Sequence, residues 1–169
     1  TAEPETGEIE SRISRVLEML VRAAGASAAA LRLITSGGMR TLVLPPLTAD
    51  PLSRTSWGKD HLEALGGLSE PLLEQAVDSA ELTDALRAAQ PSFEAAVVVP
   101  LRSAERLLGL ALLYYDVHAA LPAHEALVHV GFLARVLAGS LEASAAREAA
   151  WAAERLRALS LTSAAAVAS

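Results

Sequence analysis

Apolar residues recur at intervals of three and four in Ile9, Ile13, Val16, Leu17 and Leu20, the spacing that keeps one face of a helix apolar. An amphipathic helix is predicted over Glu8 to Ala24, with Thr6 as its N-cap and Gly25 placed to end it. The period then changes. Ala28 to Ile34 reads as a strand, Ser36-Gly37-Gly38 supplies turn chemistry, Met39 to Leu44 returns as the hairpin partner, and Pro45-Pro46 stops it. From Leu47 to Gly67 periodicity gives way to Pro, Ser, Gly and mixed charge, the composition of a long surface excursion. Ser69 caps a short helix predicted from Glu70 to Val77. Asp78-Ser79-Ala80-Glu81 has capping-box spacing for another from Glu81 to Ala89, which Gln90-Pro91 ends.

The stretch around which the rest is organised follows. Ala95 to Leu101 and Leu107 to Tyr115 are apolar runs of strand length, joined by Arg102-Ser103-Ala104-Glu105-Arg106, and predict a central hairpin. Neither run alternates, so both faces of this hairpin must be covered. Pro100 belongs at a strand end or a position without a ladder bond, and Gly109 at a bulge or a close backbone approach. Pro122 opens a closing helix with Glu125 near its positive end. Its stripe, Leu133, Leu137, Leu141, Ala145, Ala149, Ala152, Leu156 and Leu159, runs past any edge a sheet of this size could cover. The expected class is α+β: an antiparallel sheet of about five or six strands, the first and last helices on one face, the middle helices and loop on the other. The chain divides into a disordered or linker N-terminus at 1–7, a domain at 8–144, and a helical extension or linker at 145–169.

Composition narrows the chemistry. With 169 residues one domain is natural, and 52% hydrophobic against 4% aromatic residues means a core of Ala, Leu and Val. No uninterrupted apolar run approaches the roughly 18 residues of a membrane span, and the acidic start TAEPETGEIE is unlike a secretion signal, so a cytoplasmic protein with no membrane partner is expected. A net charge of -6, with 14 basic residues that never cluster, argues against a nucleic-acid surface. The absence of Cys removes disulfides, thiolate nucleophiles and Cys-ligated zinc together. His124-Glu125 and His129 do not make the metalloprotease helix, because His five apart are turned about 140° from one another. Gly58-Lys59-Asp60 lacks both the Ser or Thr and the upstream Gly of a phosphate loop. No catalytic residue and no metal ligand can be nominated, and an enzyme is not expected.

The order VVVPLRSAERLLGLALLYYD, then a linker holding Pro122, then a long amphipathic helix through Leu141, resembles the C-terminal half of a GAF domain, the small-molecule sensor module of signalling proteins. The shared pattern is Val99-Pro100-Leu101, a polar turn, Leu108-Gly109-Leu110 and the closing helix. By arrangement the resemblance covers roughly Glu8 to Ala143, although 45–91 matches no motif. A PAS-type fold is the neighbouring alternative, distinguished by lacking an N-terminal helix paired with the C-terminal one. The resemblance implies a ligand pocket between the sheet and the Pro45 to Pro91 excursion. It implies a noncovalent ligand of unknown identity, since relatives that reduce methionine sulfoxide or tether linear tetrapyrroles use Cys, and the nucleotide-type Asn-Lys-x-Asp is absent. Arg54, Trp57, Lys59 and His61 are the groups there able to stack on or charge-pair with a small molecule. Trp57 has a plainer reading as a lid over the core, and His118 as an exposed linker residue and not a haem ligand. Tyr114 and Tyr115 end the last strand on opposite faces, so one of them faces the pocket. The expected function is a regulatory sensor relaying its state through a dimeric helical bundle to an output domain; the alternative is a degenerate domain that only dimerises. The surplus stripe calls for a parallel homodimer, with Ile13, Leu17, Leu137, Leu141, Leu156 and Leu159 near the contact.

Overall fold

The structure, a computed structural model, describes residues 6–35, 38–52, 70–75, 80–89, 92–104 and 106–168. Helix α1 spans Thr6–Ala24 and buries Ile13, Val16, Leu17 and Leu20, so the three-and-four spacing acts as expected. Gly25 ends it at φ 65°, with its amide donating to the Arg22 carbonyl and the Ala26 amide donating to the Val21 carbonyl. That pair of bonds closes the helix in a left-handed turn that glycine enters without steric cost.

Strands β1 (Ala28–Thr35) and β2 (Gly38–Val43) form the first hairpin. Leu72–Gln75 is a strand, β3, and not the helix expected over 70–77. Its Leu, Glu and Gln favour helix in isolation, but so short a segment cannot stand as one, and the open edge of a neighbouring strand supplies a ladder. Helix α2 (Ala80–Ala88) agrees with the helix expected over Glu81 to Ala89; Asp78 and Ser79 of its expected capping box lie outside the described residues. The central hairpin is β4 (Ala95–Arg102) and β5 (Leu107–Tyr115). The five strands run in the order β2-β1-β5-β4-β3, each antiparallel to its neighbours.

Two of the punctuating residues are explained by this sheet. At Gly109 a Cβ would lie 2.2 Å from the Arg32 carbonyl oxygen, so β1 and β5 can approach there only without a side chain. β3 pairs only with Ala95 to Val98, so at Pro100 no described strand flanks that edge of β4.

Alternation sorts the sheet's side chains into two cores. Leu31, Val97, Val99, Leu113 and Tyr115 face α1 and the closing helix α3 (His124–Ala168). Ala30, Val98, Leu110, Leu112 and Tyr114 face α2 and the segment holding Leu47 and Leu52. The first and last helices therefore share one face, and α1 packs on α3, the pairing that a PAS arrangement lacks.

Helix α3 (His124–Ala168) is a single helix of 45 residues, about 68 Å long. Val130, Ala134, Leu137 and Ala138 seat it on the domain, while every residue from Ala152 to Val167 is exposed. The surplus stripe is thus a helix that outruns the sheet. By length and composition α3 also qualifies to cross a membrane, with a mean hydropathy of 1.4 over 18 residues. The expectation of no membrane-like stretch holds only for uninterrupted apolar runs.

Candidate functional site

Ala28, Ala30 and Arg32 alternate onto one face of β1, and this places a guanidinium among the alanines and leucines of the second core. Arg32 is 6% exposed and Asp50 4%. An unpaired charge at such depth would be prohibitive, so its surroundings must supply a partner. The segment after β2 does so. The Leu44 amide donates to the Ala29 carbonyl at 3.0 Å, a cis peptide joins Pro45 to Pro46, and buried Leu47 and Leu52 bracket Asp50 and press it onto the sheet.

Arg32 Nε donates to Asp50 Oδ2 at 2.7 Å, and its Nη2 lies 2.7 Å from the same oxygen. Asp50 Oδ1 accepts from the Leu52 amide at 3.1 Å and from the Tyr114 hydroxyl. The Tyr114 ring stacks at a tilt on Phe93, with centroids 5.2 Å apart. Both oxygens of a buried carboxylate are thereby occupied by donors from three separate parts of the chain. Burial pushes the Tyr114 hydroxyl well above its ordinary pKa, and the Asp50 charge raises it further against the opposing Arg32 charge. Such a phenol stays protonated and serves as a donor. The network can hold a loop, or present a guanidinium and a hydroxyl to an acidic group, but it contains no activated nucleophile.

Tyr115 points the other way. Its hydroxyl donates to the Ala24 carbonyl at the end of α1, at 2.7 Å, and burial raises its pKa to about 12. Of the two tyrosines, Tyr114 is therefore the one that faces the segment after β2, the side on which a pocket is expected. Arg54, Trp57, Lys59 and His61 lie outside the described residues. His118, His124 and His129 are exposed, and among the described residues no group of His, Asp and Glu could hold a metal.

The expected contact residues divide. Ile13, Leu17 and Leu137 are already covered inside the protomer, Leu141 is partly buried against the same core, and Leu156 and Leu159 stand free on the extension. The first three are thus spent on the domain's own packing. Sequence reasoning missed Arg32 and Asp50. The available signal was the lone charge in AAALRLIT, an otherwise apolar strand.

No protein-family model matches this chain, and no curated protein matches it in sequence. Solved structures do match. A domain from a two-component sensor histidine kinase of Sinorhizobium meliloti 1021 is 24% identical with a TM-score of 0.59, over 83% of this chain and 96% of that one. The GAF domain of a two-component sensor histidine kinase from Bacillus halodurans is 13% identical with a TM-score of 0.60, over 86% and 99%. The PixJ GAF domain of Thermosynechococcus elongatus, in its blue-light absorbing form, is 14% identical with a TM-score of 0.60, over 89% and 96%. These likenesses lie in architecture far more than in sequence, and they agree with the order of elements, the two-sided sheet and the paired terminal helices. The chain has the fold of a GAF domain.

Proposed function

We propose that the chain is a cytoplasmic regulatory sensor module, binding a small molecule noncovalently on the Arg32 side of its sheet and relaying the outcome through paired helices to an output domain. The observation that carries this reading is the Arg32–Asp50–Tyr114 network. Folding alone does not call for a buried ion pair in a core of Ala, Leu and Val, since apolar residues of similar volume often serve as well or better. The network instead offers what an acidic ligand would meet: a guanidinium fork and a phenol fixed on strands, and a carboxylate on a loop that such a ligand would displace. Arg54, Trp57, Lys59 and His61 follow Asp50 closely in sequence and remain the candidates to complete the site. The regulatory part is supported by neighbours drawn from sensor histidine kinases.

A second reading, a domain that only dimerises, has its own support: Leu47, Leu52, Leu82, Leu86 and Phe93 bury themselves on the same face. A thermal-shift panel of nucleotides, haem, amino acids and small dicarboxylates separates the two. A ligand at a hundred times its dissociation constant adds about 2.7 kcal/mol of stability. A shift that disappears in Arg32→Met supports sensing. No shift with any compound favours the scaffold.

A further inference from the structure

We infer that the cleft where α3 leaves the domain is a second ligand site, on the helix side of the sheet, for a small primary amine with an apolar body. The leucine stripe of α3 changes character at this point, because Leu133, Leu137 and Leu141 are followed by Ala145. A methyl group cannot fill the space a leucine would. A cavity of about 170 Å³ is left between α1, the end of the sheet and α3. Its floor is apolar, made by Ile13, Leu33, Ile34, Leu108 and Leu141.

The size of the cleft sets the size of the ligand. An apolar cavity of about 150 Å³ takes up benzene, so this one has room for a single six-membered ring. Ile34 is 51% exposed, and a ring seated here would cover apolar surface that the chain's own side chains leave to water. It would also touch α1, the sheet and α3 together, just before the stretch from Ala152 onward that stands clear of the domain.

Charge at the rim selects the headgroup. The rim carries Arg12, Arg106, Glu142 and Glu148, and pairing within the protomer decides which charge is open to a ligand. Arg106 Nε donates to Glu142 Oε1 at 3.3 Å, which occupies one acid and one base together. Arg12 also interacts within the chain. Glu148 is partly buried and has no hydrogen bond or ion pair among the described residues. The rim therefore calls for one cation. A primary amine is protonated at neutral pH, as lysine is, and brings three donors to a carboxylate. A carboxylate ligand would meet Glu148 as a like charge and would have to take Arg106 from Glu142. The cleft shares no residue with the Arg32–Asp50–Tyr114 network, so it does not depend on whether that network takes a ligand.

Benzylamine, benzyl alcohol and benzoate present the same ring with a cationic, a neutral and an anionic head. In titrations of the full chain followed by amide NMR shifts, benzylamine should bind tightest and benzoate weakest, with the shifts at Ile13, Leu108 and residues 141–148. Glu148→Gln, a change on the helix surface, should weaken benzylamine by about threefold and leave benzyl alcohol unchanged, a split that general loss of structure would not produce. Ala145→Leu should fill the cleft and abolish binding of all three without lowering the melting temperature. Benzoate binding more tightly than the amine, benzylamine indifferent to Glu148→Gln or undiminished in Ala145→Leu, or no shift with any of the three would overturn the inference. Shifts centred on Leu52 and Phe93 would put the amine on the other face of the sheet and overturn it as well.

Discussion

The buried network on the second face makes a demanding prediction about stability. Arg32→Met takes from the Asp50 carboxylate, whose side chain is 0% exposed, the guanidinium held on its Oδ2. Asp50→Leu leaves the guanidinium and the Tyr114 hydroxyl without their acceptor. Breaking one side of a buried pair costs about 3 kcal/mol or more, because a charge stays behind in a low-dielectric site. If the two changes acted independently, the double variant would lose about 6 kcal/mol, much of the whole stability of an ordinary domain. The double variant instead removes both charges and leaves only the Tyr114 hydroxyl unsatisfied, which costs about 2 kcal/mol. Arg32→Met/Asp50→Leu should therefore be more stable than either single variant, with a coupling near 4 kcal/mol. Urea unfolding followed by far-UV circular dichroism measures all four corners of the cycle. Additive losses, or singles that each cost under about 1 kcal/mol, would show that water reaches the pair and that the burial argument is mistaken.

Two further expectations follow from the sheet. Gly109→Ala would drive a Cβ to 2.2 Å from the Arg32 carbonyl oxygen, and because the obstacle is backbone the strands must part, for a loss of about 3 kcal/mol in the same urea assay. The tyrosine hydroxyls set an alkaline limit: their pKa values are raised in the folded state, to about 12 for Tyr115, so the unfolded chain, titrating near 10, loses its protons first. The stability they contribute is fully present below about pH 10 and is lost as pH climbs through the folded-state values. Tyr115→Phe should make the urea midpoint less sensitive to pH in that range, and an unchanged slope would show that its hydroxyl is hydrated.

Much of this architecture is legible in the sequence because most of its elements declare themselves locally. The period of Ile13 to Leu20, the turn glycines at 37 and 38, and the two apolar runs around 102–106 each name an element and its partner without long-range information. β3 is not legible for the opposite reason. Leu72 to Gln75 is a strand only because β4 offers an edge, a tertiary fact that local preference opposes. The pair Arg32 and Asp50 is hidden in the same way, eighteen positions apart and joined only when the loop after Pro46 folds onto β1. Tyr114 and Tyr115 were recognisable as a two-sided strand end, but their sidedness needed the register of β5 against β1. On α3 the inward stripe of leucines declares itself by its spacing, whereas the point at which the sheet stops covering the helix is a tertiary fact.

Adjacent placement of Tyr114 and Tyr115 has a mechanical consequence that can be tested directly. One hydroxyl holds Asp50 on the loop, the other holds the Ala24 carbonyl at the end of α1, and the two residues are consecutive on one strand. Their backbone is tied in as well: the Ser27 amide donates to the Tyr114 carbonyl at 2.8 Å, and the Asp116 amide donates to Ser27 Oγ at 3.1 Å. A strand end clamped on both faces is a short rigid path between the loop layer and the helix layer, and coupling requires such an element to respond to both sides. Asp50→Asn keeps the size and an acceptor for Tyr114 but removes the charge that holds Arg32. If the clamp couples the layers, hydrogen exchange should speed up at the amides of Leu52 and also at Ser27 and Asp116, by about tenfold for each 1.4 kcal/mol of local opening free energy lost. Faster exchange confined to Leu52, with Ser27 and Asp116 as protected as in the unaltered chain, would show that the tyrosines anchor two independent layers and that any relay to α3 takes another route.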